Sequence, residues 1–139
     1  MNIPLLLKPK GLISYINEDN TVRQGIEKMK FHGYAALPVI DAEGKYTGTV
    51  TEGDFLWHIL SIEKGELPEG KYTIKDIMKK RNTPVNINAS VNELLDLVLD
   101  QNFVPVTDDR GVFIGIVTRH DIINNFRELY GDESFDEMK

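Results

Sequence analysis

The sequence contains no cysteine, which rules out disulfides, thiolate catalysis and cysteine-ligated zinc. It has no apolar run near the roughly 20 residues that a membrane helix needs. The opening MNIPLLLKPK holds only three consecutive leucines and ends in basic residues. That stretch is too short for a signal peptide and offers no small-residue cleavage site. A cytoplasmic protein is expected. Positive charge is also scarce, with a net charge of −6. The one basic cluster, Lys79-Lys80-Arg81, reads as a solvated linker, so a nucleic-acid partner is not expected. His32, His58 and His120 share no metal-ligand spacing, and no glycine-rich phosphate loop occurs. Thr118, His120 and Asp121 lie too close in sequence to converge as a catalytic relay. Neither a metal site nor an enzyme is expected.

What the 139 residues do contain is ordinary for a folded chain, with 41% hydrophobic and 27% charged residues. That suits one compact domain or two small lobes sharing a core. They also contain a repeat. Pro38-Val39, Asp41, Gly44, Gly48, Thr51 and Asp54 recur without a gap as Pro105-Val106, Asp108, Gly111, Gly115, Thr118 and Asp121, at a constant spacing of 67 residues. Upstream, Val22, Ile26 and Met29 recur as Val91, Leu95 and Val98, now 69 residues apart. Both triplets have the i, i+4, i+7 spacing of one helical face. Thr21 with Gln24, and Ser90 with Glu93, fit capping boxes that start those helices. The second copy is two residues shorter before its Pro-Val strand, as HGYAALPV and QNFVPV show.

Each copy reads as helix, strand, turn, strand, helix. ALPVI and TGTVT flank the turn DAEGK, and FVPVT and FIGIVT flank DDRG. Short extended pieces, ISYI and PVNI, precede each first helix, and helices follow Asp54 and Asp121. TIKDIMKK reads as a short helix opening the second copy. The expected organisation is a first repeat over 1–61, a linker over 62–72 rich in charge, glycine and proline, and a second repeat over 73–139. The acidic tail DESFDEMK is expected to fray. About 60 residues is marginal for an independent core, so the two copies are expected to pack together with clefts between them.

The pattern hydrophobic-Pro-Val, Asp, Gly, then Gly-x-Val-Thr-x-x-Asp, present twice, resembles a tandem pair of CBS (cystathionine β-synthase) domains. The resemblance runs from about Leu12 to about Phe126, and the chain looks like a stand-alone pair of bacterial type. It implies an α/β (α+β) fold of two pseudo-symmetric repeats, each a small sheet flanked by helices, packed sheet to sheet. It implies a regulatory module that binds an adenine nucleotide such as AMP, ADP or ATP and signals by conformational change. A homodimer and an unknown regulated protein partner are implied too, with no required cofactor. The alternative is a structural dimerisation module without ligand, with Trp57, Leu60, Ile123 and Phe126 at its interface.

An adenosine ligand needs three kinds of group. An ionised carboxylate accepts both vicinal ribose hydroxyls, and Asp54 and Asp121 fit that role. Each equally fits a helix cap. Phosphates need donors: Thr51 and Thr118 offer hydroxyls at a helix entrance, and Arg119 offers a charge-assisted pair. Glu52 stands at Arg119's place in the first copy and would repel a phosphate. Adenine needs a flat apolar slot. The resemblance implies crossed sites. The preferred one joins Ser14, Tyr34, Ala35 and Ala36 to Thr118, Arg119, His120 and Asp121. The second joins Thr83, Phe103 and Val104 to Thr51 and Asp54.

Overall fold

The computed structural model describes residues 1–79 and 81–137, with the backbone alone for 131–137. Lys80 of the basic cluster and the last two residues of the acidic tail therefore lie outside the described residues. The elements in chain order are α1 (Ile3–Leu6), β1 (Lys8–Pro9), β2 (Ile16–Asn17), α2 (Val22–His32), β3 (Ala36–Ile40), β4 (Tyr46–Thr51), α3 (Glu52–Glu63), α4 (Ile74–Ile77), β5 (Val85–Asn86), α5 (Val91–Val98), β6 (Phe103–Thr107), β7 (Phe113–Thr118) and α6 (Arg119–Glu137). A 3₁₀ turn over Lys10–Leu12 follows β1. Helix α6 runs through most of the segment expected as a frayed tail. Among the described residues no helix is long and apolar enough to cross a membrane.

The strands form two small sheets, ordered β2-β3-β4 and β1-β7-β6-β5. In each, a short strand pairs parallel with the Pro-Val strand, which pairs antiparallel with the next. The turns between them explain the paired Asp and Gly landmarks. Asp41 Oδ1 accepts from the backbone N–H groups of Glu43 and Lys45, and Asp108 Oδ1 from those of Arg110 and Val112. Gly44 and Gly111 sit at φ of 81° and 82°, where a side chain would be strained. The Arg110 side chain, hydrogen-bonded to Asp108, holds that carboxyl below its usual range. The two turns then meet: Phe113 N donates to Gly44 O at 2.9 Å. Behind them Ile40, Tyr46 and Phe113 form a buried cluster that joins the sheets.

Each sheet has its own core, and each core borrows from the segment leading into the other repeat. Ile74 and Ile77 of α4 pack with Val22, Leu37, Val50 and Phe55 of the first repeat. Ile3 and Leu6 of α1 pack with Leu94, Val104, Val117 and Ile122 of the second. The repeat therefore reaches further upstream than its sequence landmarks: Ile3, Leu6 and Lys8 recur as Ile74, Ile77 and Lys79.

The helical faces are set one step differently from the expected triplet in the second copy. Leu95 is exposed, and Leu94 is the buried residue beside Val98. The place equivalent to Leu94 in the first copy is Gly25. A Cβ there would lie 2.5 Å from Ile74 Cδ1 and 2.9 Å from Phe55 Cζ. The first core fills that space with a phenyl ring from α3, and the second fills it with leucine from α5.

Gly115 is set by a close approach. It pairs with Pro9, and a Cβ on it would fall inside the contact distance of the Lys8 carbonyl oxygen. Gly115→Ala is therefore expected to push β1 off the sheet and to cost about 1–3 kcal/mol, as overpacking generally does. Chemical denaturation checks this, and an unchanged midpoint would show that β1 yields freely.

Candidate functional site

The two Thr-x-x-Asp motifs stand at equivalent strand-to-helix changeovers, yet the structure directs their carboxylates differently. At the first, Asp54 Oδ2 accepts from Thr51 N at 2.9 Å, and Asp54 N donates to Thr51 Oγ1 at 3.2 Å. This is a closed capping box, with Asp54 8% exposed. At the second, Asp121 N donates to Thr118 Oγ1 at 3.1 Å. The Asp121 carboxylate instead meets Lys8 Nζ, 3.2 Å from Oδ2. The lysine and the aspartate side chains are 47% and 25% exposed. A partly solvated pair of this kind contributes at most about 1 kcal/mol, so it is easily exchanged for other partners.

Lys8 and Thr118 also line a cleft between the repeats, of about 460 Å³. That volume lies within the roughly 300–1,000 Å³ typical of small-molecule sites. Its walls are Leu12, Ile13, Tyr34, Ala36, Pro38, Phe103 and Ile116, with Ser14 and Asn102 as polar members. Ser14 Oγ is buried and has no hydrogen-bond partner among the described residues. A buried hydroxyl left unpartnered costs free energy, and this one belongs to a residue lining the cleft. Tyr34, which lies parallel to His32 at 5.6 Å between ring centroids, forms one edge.

Of the preferred set, the structure brings Ser14, Tyr34, Ala36 and Thr118 into one lining, with Asp121 joined to it through Lys8. Ala35 is exposed beside them, and its carbonyl accepts from Glu52 N. His120 is exposed on the first turn of α6. Arg119 is engaged elsewhere: Nε donates to Val98 O at 2.9 Å, Nη1 to Asn102 Oδ1 at 3.0 Å, and Nη2 to Leu99 O at 3.5 Å. Its cation sits on the last carbonyls of α5, where the helix dipole favours positive charge. Glu52, its counterpart, lines a separate groove between α2 and α3 with Ile26, Met29, Lys30, Leu56 and Ile59.

The second set is not gathered in the same way. Phe103 faces the cleft just described, and Val104 is wholly buried in the second core. Thr83 is exposed, and its N–H donates to Gln101 Oε1 at 2.8 Å. Thr51 caps α3. Asp54 lines a hollow of only about 90 Å³ with Trp57, His58, Asp76 and Lys79. The difference between the two sides has a local cause. Tyr46 and Thr49 of the first repeat and Asn82 of the second correspond to Phe113, Ile116 and Ile13 of the opposite repeats. Tyr46 Oη lies 2.7 Å from Thr49 Oγ1 and accepts from Asn82 N at 2.9 Å, all three residues buried. Burial pushes the Tyr46 phenol above its ordinary pKa. Asn82 Nδ2 donates to Phe103 O at 3.2 Å, and the Arg81 guanidinium lies over the Tyr46 ring at 5.6 Å. Hydroxyls and amides thus bond to one another there, whereas the apolar equivalents Ile13 and Ile116 line an open space.

The sequence reading missed Lys8, Ile13, Pro38 and Ile116 as site residues. The recurrence of Ile3, Leu6 and Lys8 as Ile74, Ile77 and Lys79 was the signal that could have found the lysine.

A family model described as the CBS domain matches residues 10–61 and again 74–128. An uncharacterized protein of Methanopyrus kandleri is 32% identical over 98 residues, which is 69% of this chain and 48% of that protein, so the chain spans about half that relative's length. Among solved structures, CbpB in complex with c-di-AMP superposes with a TM-score of 0.82 at 22% identity, covering 98% of this chain and 91% of that one. CBSX2 in complex with AMP gives 0.75 at 23% identity, covering 94% and 98%. With both halves matched and most of the chain covered, the protein belongs to the CBS-domain family as a tandem pair.

Proposed function

We propose that this chain is a ligand-sensing regulatory module that takes one adenine nucleotide in the cleft between Ser14 and Thr118. The observation that carries the reading is the unequal fate of the two acids. Asp54 is bound up in its own cap, and the Asp121 carboxylate is paired with Lys8, which lines the cleft. In this reading Asp121 accepts the two ribose hydroxyls. The adenine lies against the apolar wall of Ile13, Tyr34, Pro38 and Ile116, and Ser14 Oγ donates to or accepts from the ligand. CBS-domain proteins are regulatory modules, and the two solved relatives named above hold an adenine mononucleotide and a cyclic adenine dinucleotide.

Tyr34 gives binding a route to the surface, since it lines both the cleft and the α2–α3 groove. That groove adjoins exposed Leu56, Trp57 and Ile59 on α3, and α6 exposes Ile123, Phe126 and Leu129. Apolar faces of this kind suit a second copy of the chain. Ligand binding shifts the assembly only through a difference in affinity between its states. The same exposed faces favour a second reading, a dimerisation module that holds no ligand.

A thermal-shift series with AMP, ADP, ATP, S-adenosylmethionine and cyclic di-AMP separates the two. A true ligand at 100 times its dissociation constant is expected to add about 2.7 kcal/mol of stability. Calorimetry is expected to give one nucleotide per chain, because the hollow at Asp54 is too small for a second. The absence of a shift with all five would leave the dimerisation module.

A further inference from the structure

The cleft presents a cation that does not come from either Thr-x-x-Asp motif. Lys8 belongs to β1, ahead of the first repeat, and is carried to the second sheet by pairing with Ile116. Its ammonium group lies 3.2 Å from Asp121 Oδ2, and its side chain lines the cleft. Arg119, the other cation near the rim, is held by the carbonyls of Val98 and Leu99 and by Asn102. Lys79, at Lys8's place in the repeat, lines the hollow beside Asp54.

Resting on the nucleotide reading, we infer that Lys8 is the phosphate-binding and specificity-determining residue of this site, and that it is parked on Asp121 until ligand arrives. Ribose hydroxyls and the ammonium group compete for the same carboxylate. A bound nucleotide supplies both replacements at once, hydroxyls for Asp121 and a phosphate oxygen for Lys8. A nucleoside supplies only the first and leaves the ammonium without an anion. The site therefore selects phosphorylated ligands over the bare nucleoside.

Titration calorimetry of the full chain with AMP and with adenosine tests this in wild type, Lys8→Met and Lys8→Arg. Wild type is expected to prefer AMP by at least about tenfold, the scale of one charge-assisted hydrogen bond. That preference should weaken with added salt. In Lys8→Met the ratio should fall to near one, with adenosine bound as well as before or better, because Asp121 has lost its competitor. Lys8→Arg should keep a preference for AMP. Lys8→Met that retains the wild-type ratio would overturn the assignment. Parallel loss of both ligands would overturn it too, since Lys8 would then act only by holding β1. Wild type that binds AMP and adenosine equally sinks the inference and leaves the nucleotide reading standing. Wild type that binds neither sinks both.

Discussion

Asp121→Ala is expected to remove adenine-nucleotide binding from this protein while leaving it folded. In the proposed binding mode the lost interactions would be two hydrogen bonds from ribose hydroxyls to an ionised acceptor. Hydrogen bonds to charged groups contribute about 1.5–3 kcal/mol each, so the pair amounts to roughly two to four decades of affinity. Little stability should go with them. Among the described residues the only side-chain partner of the Asp121 carboxylate is the half-exposed Lys8, and the Asp121 backbone N–H keeps its bond to Thr118. Asp54→Ala should behave in the opposite way. It opens the capping box of α3 and is expected to cost about 1 kcal/mol, with nucleotide affinity unchanged. Calorimetry and denaturation on the two variants check the contrast. Equal losses of binding in both would show that the acids share one role after all.

The second large effect is expected in the core. Leu94 is wholly buried among Ile3, Leu6, Val98, Val104, Val117 and Ile122. Leu94→Ala is expected to destabilise by about 2–5 kcal/mol, the range for leucine truncation in a close-packed interior. For a domain of this size that lowers the melting temperature by roughly 6–20 °C. The first repeat tolerates a glycine at the same place only because Phe55 and Ile74 fill the space. The second has Ile122 where the first has Phe55, and a smaller aliphatic chain cannot reach across a vacated leucine. A melting temperature within a degree or two of wild type would mean that α1 or α6 closes the cavity by moving.

The repeat made much of this architecture legible. Pro38-Val39 and Pro105-Val106 mark strands because their neighbours are β-formers bounded by Asp-Gly turns, and they lie in β3 and β6. Thr21 with Gln24 forms the capping box that their spacing implies, and the Ser90 hydroxyl accepts from Glu93 N. Local chemistry of this kind is written in the order of residues. What the order does not show is direction. Arg119 follows Thr118 at a helix entrance, where a phosphate ligand would be welcome, yet three acceptors around the end of α5 claim its guanidinium. Leu95 and Leu94 have similar claims to a helical face, and only the approach of α1 and α6 decides between them. The exchange of leading segments was also hidden. It rests on Ile3 and Leu6 finding the second core, and on Lys8 following them. No periodicity near residue 8 announces a binding group, because the acid it meets stands more than a hundred residues away.

The asymmetry between the clefts was half visible. Glu52 in place of Arg119 suggested that the Asp54 side would be the poorer site. The structure shows a further difference: Tyr46 Oη bonds to Thr49 Oγ1 and to Asn82 N on that side, where the equivalent Phe113, Ile116 and Ile13 are apolar. Glu52 itself lines the α2–α3 groove, so Glu52→Ala is expected to leave nucleotide affinity unchanged, which the same calorimetry checks.

A crystal structure of the chain grown with AMP tests the central claim most directly. The account predicts one nucleotide per chain, its ribose hydroxyls on Asp121, its base against Tyr34 and Ile116, and Lys8 turned from the acid toward the phosphate. A nucleotide seated at Asp54, or one bound with the Lys8–Asp121 pair still closed, would contradict it.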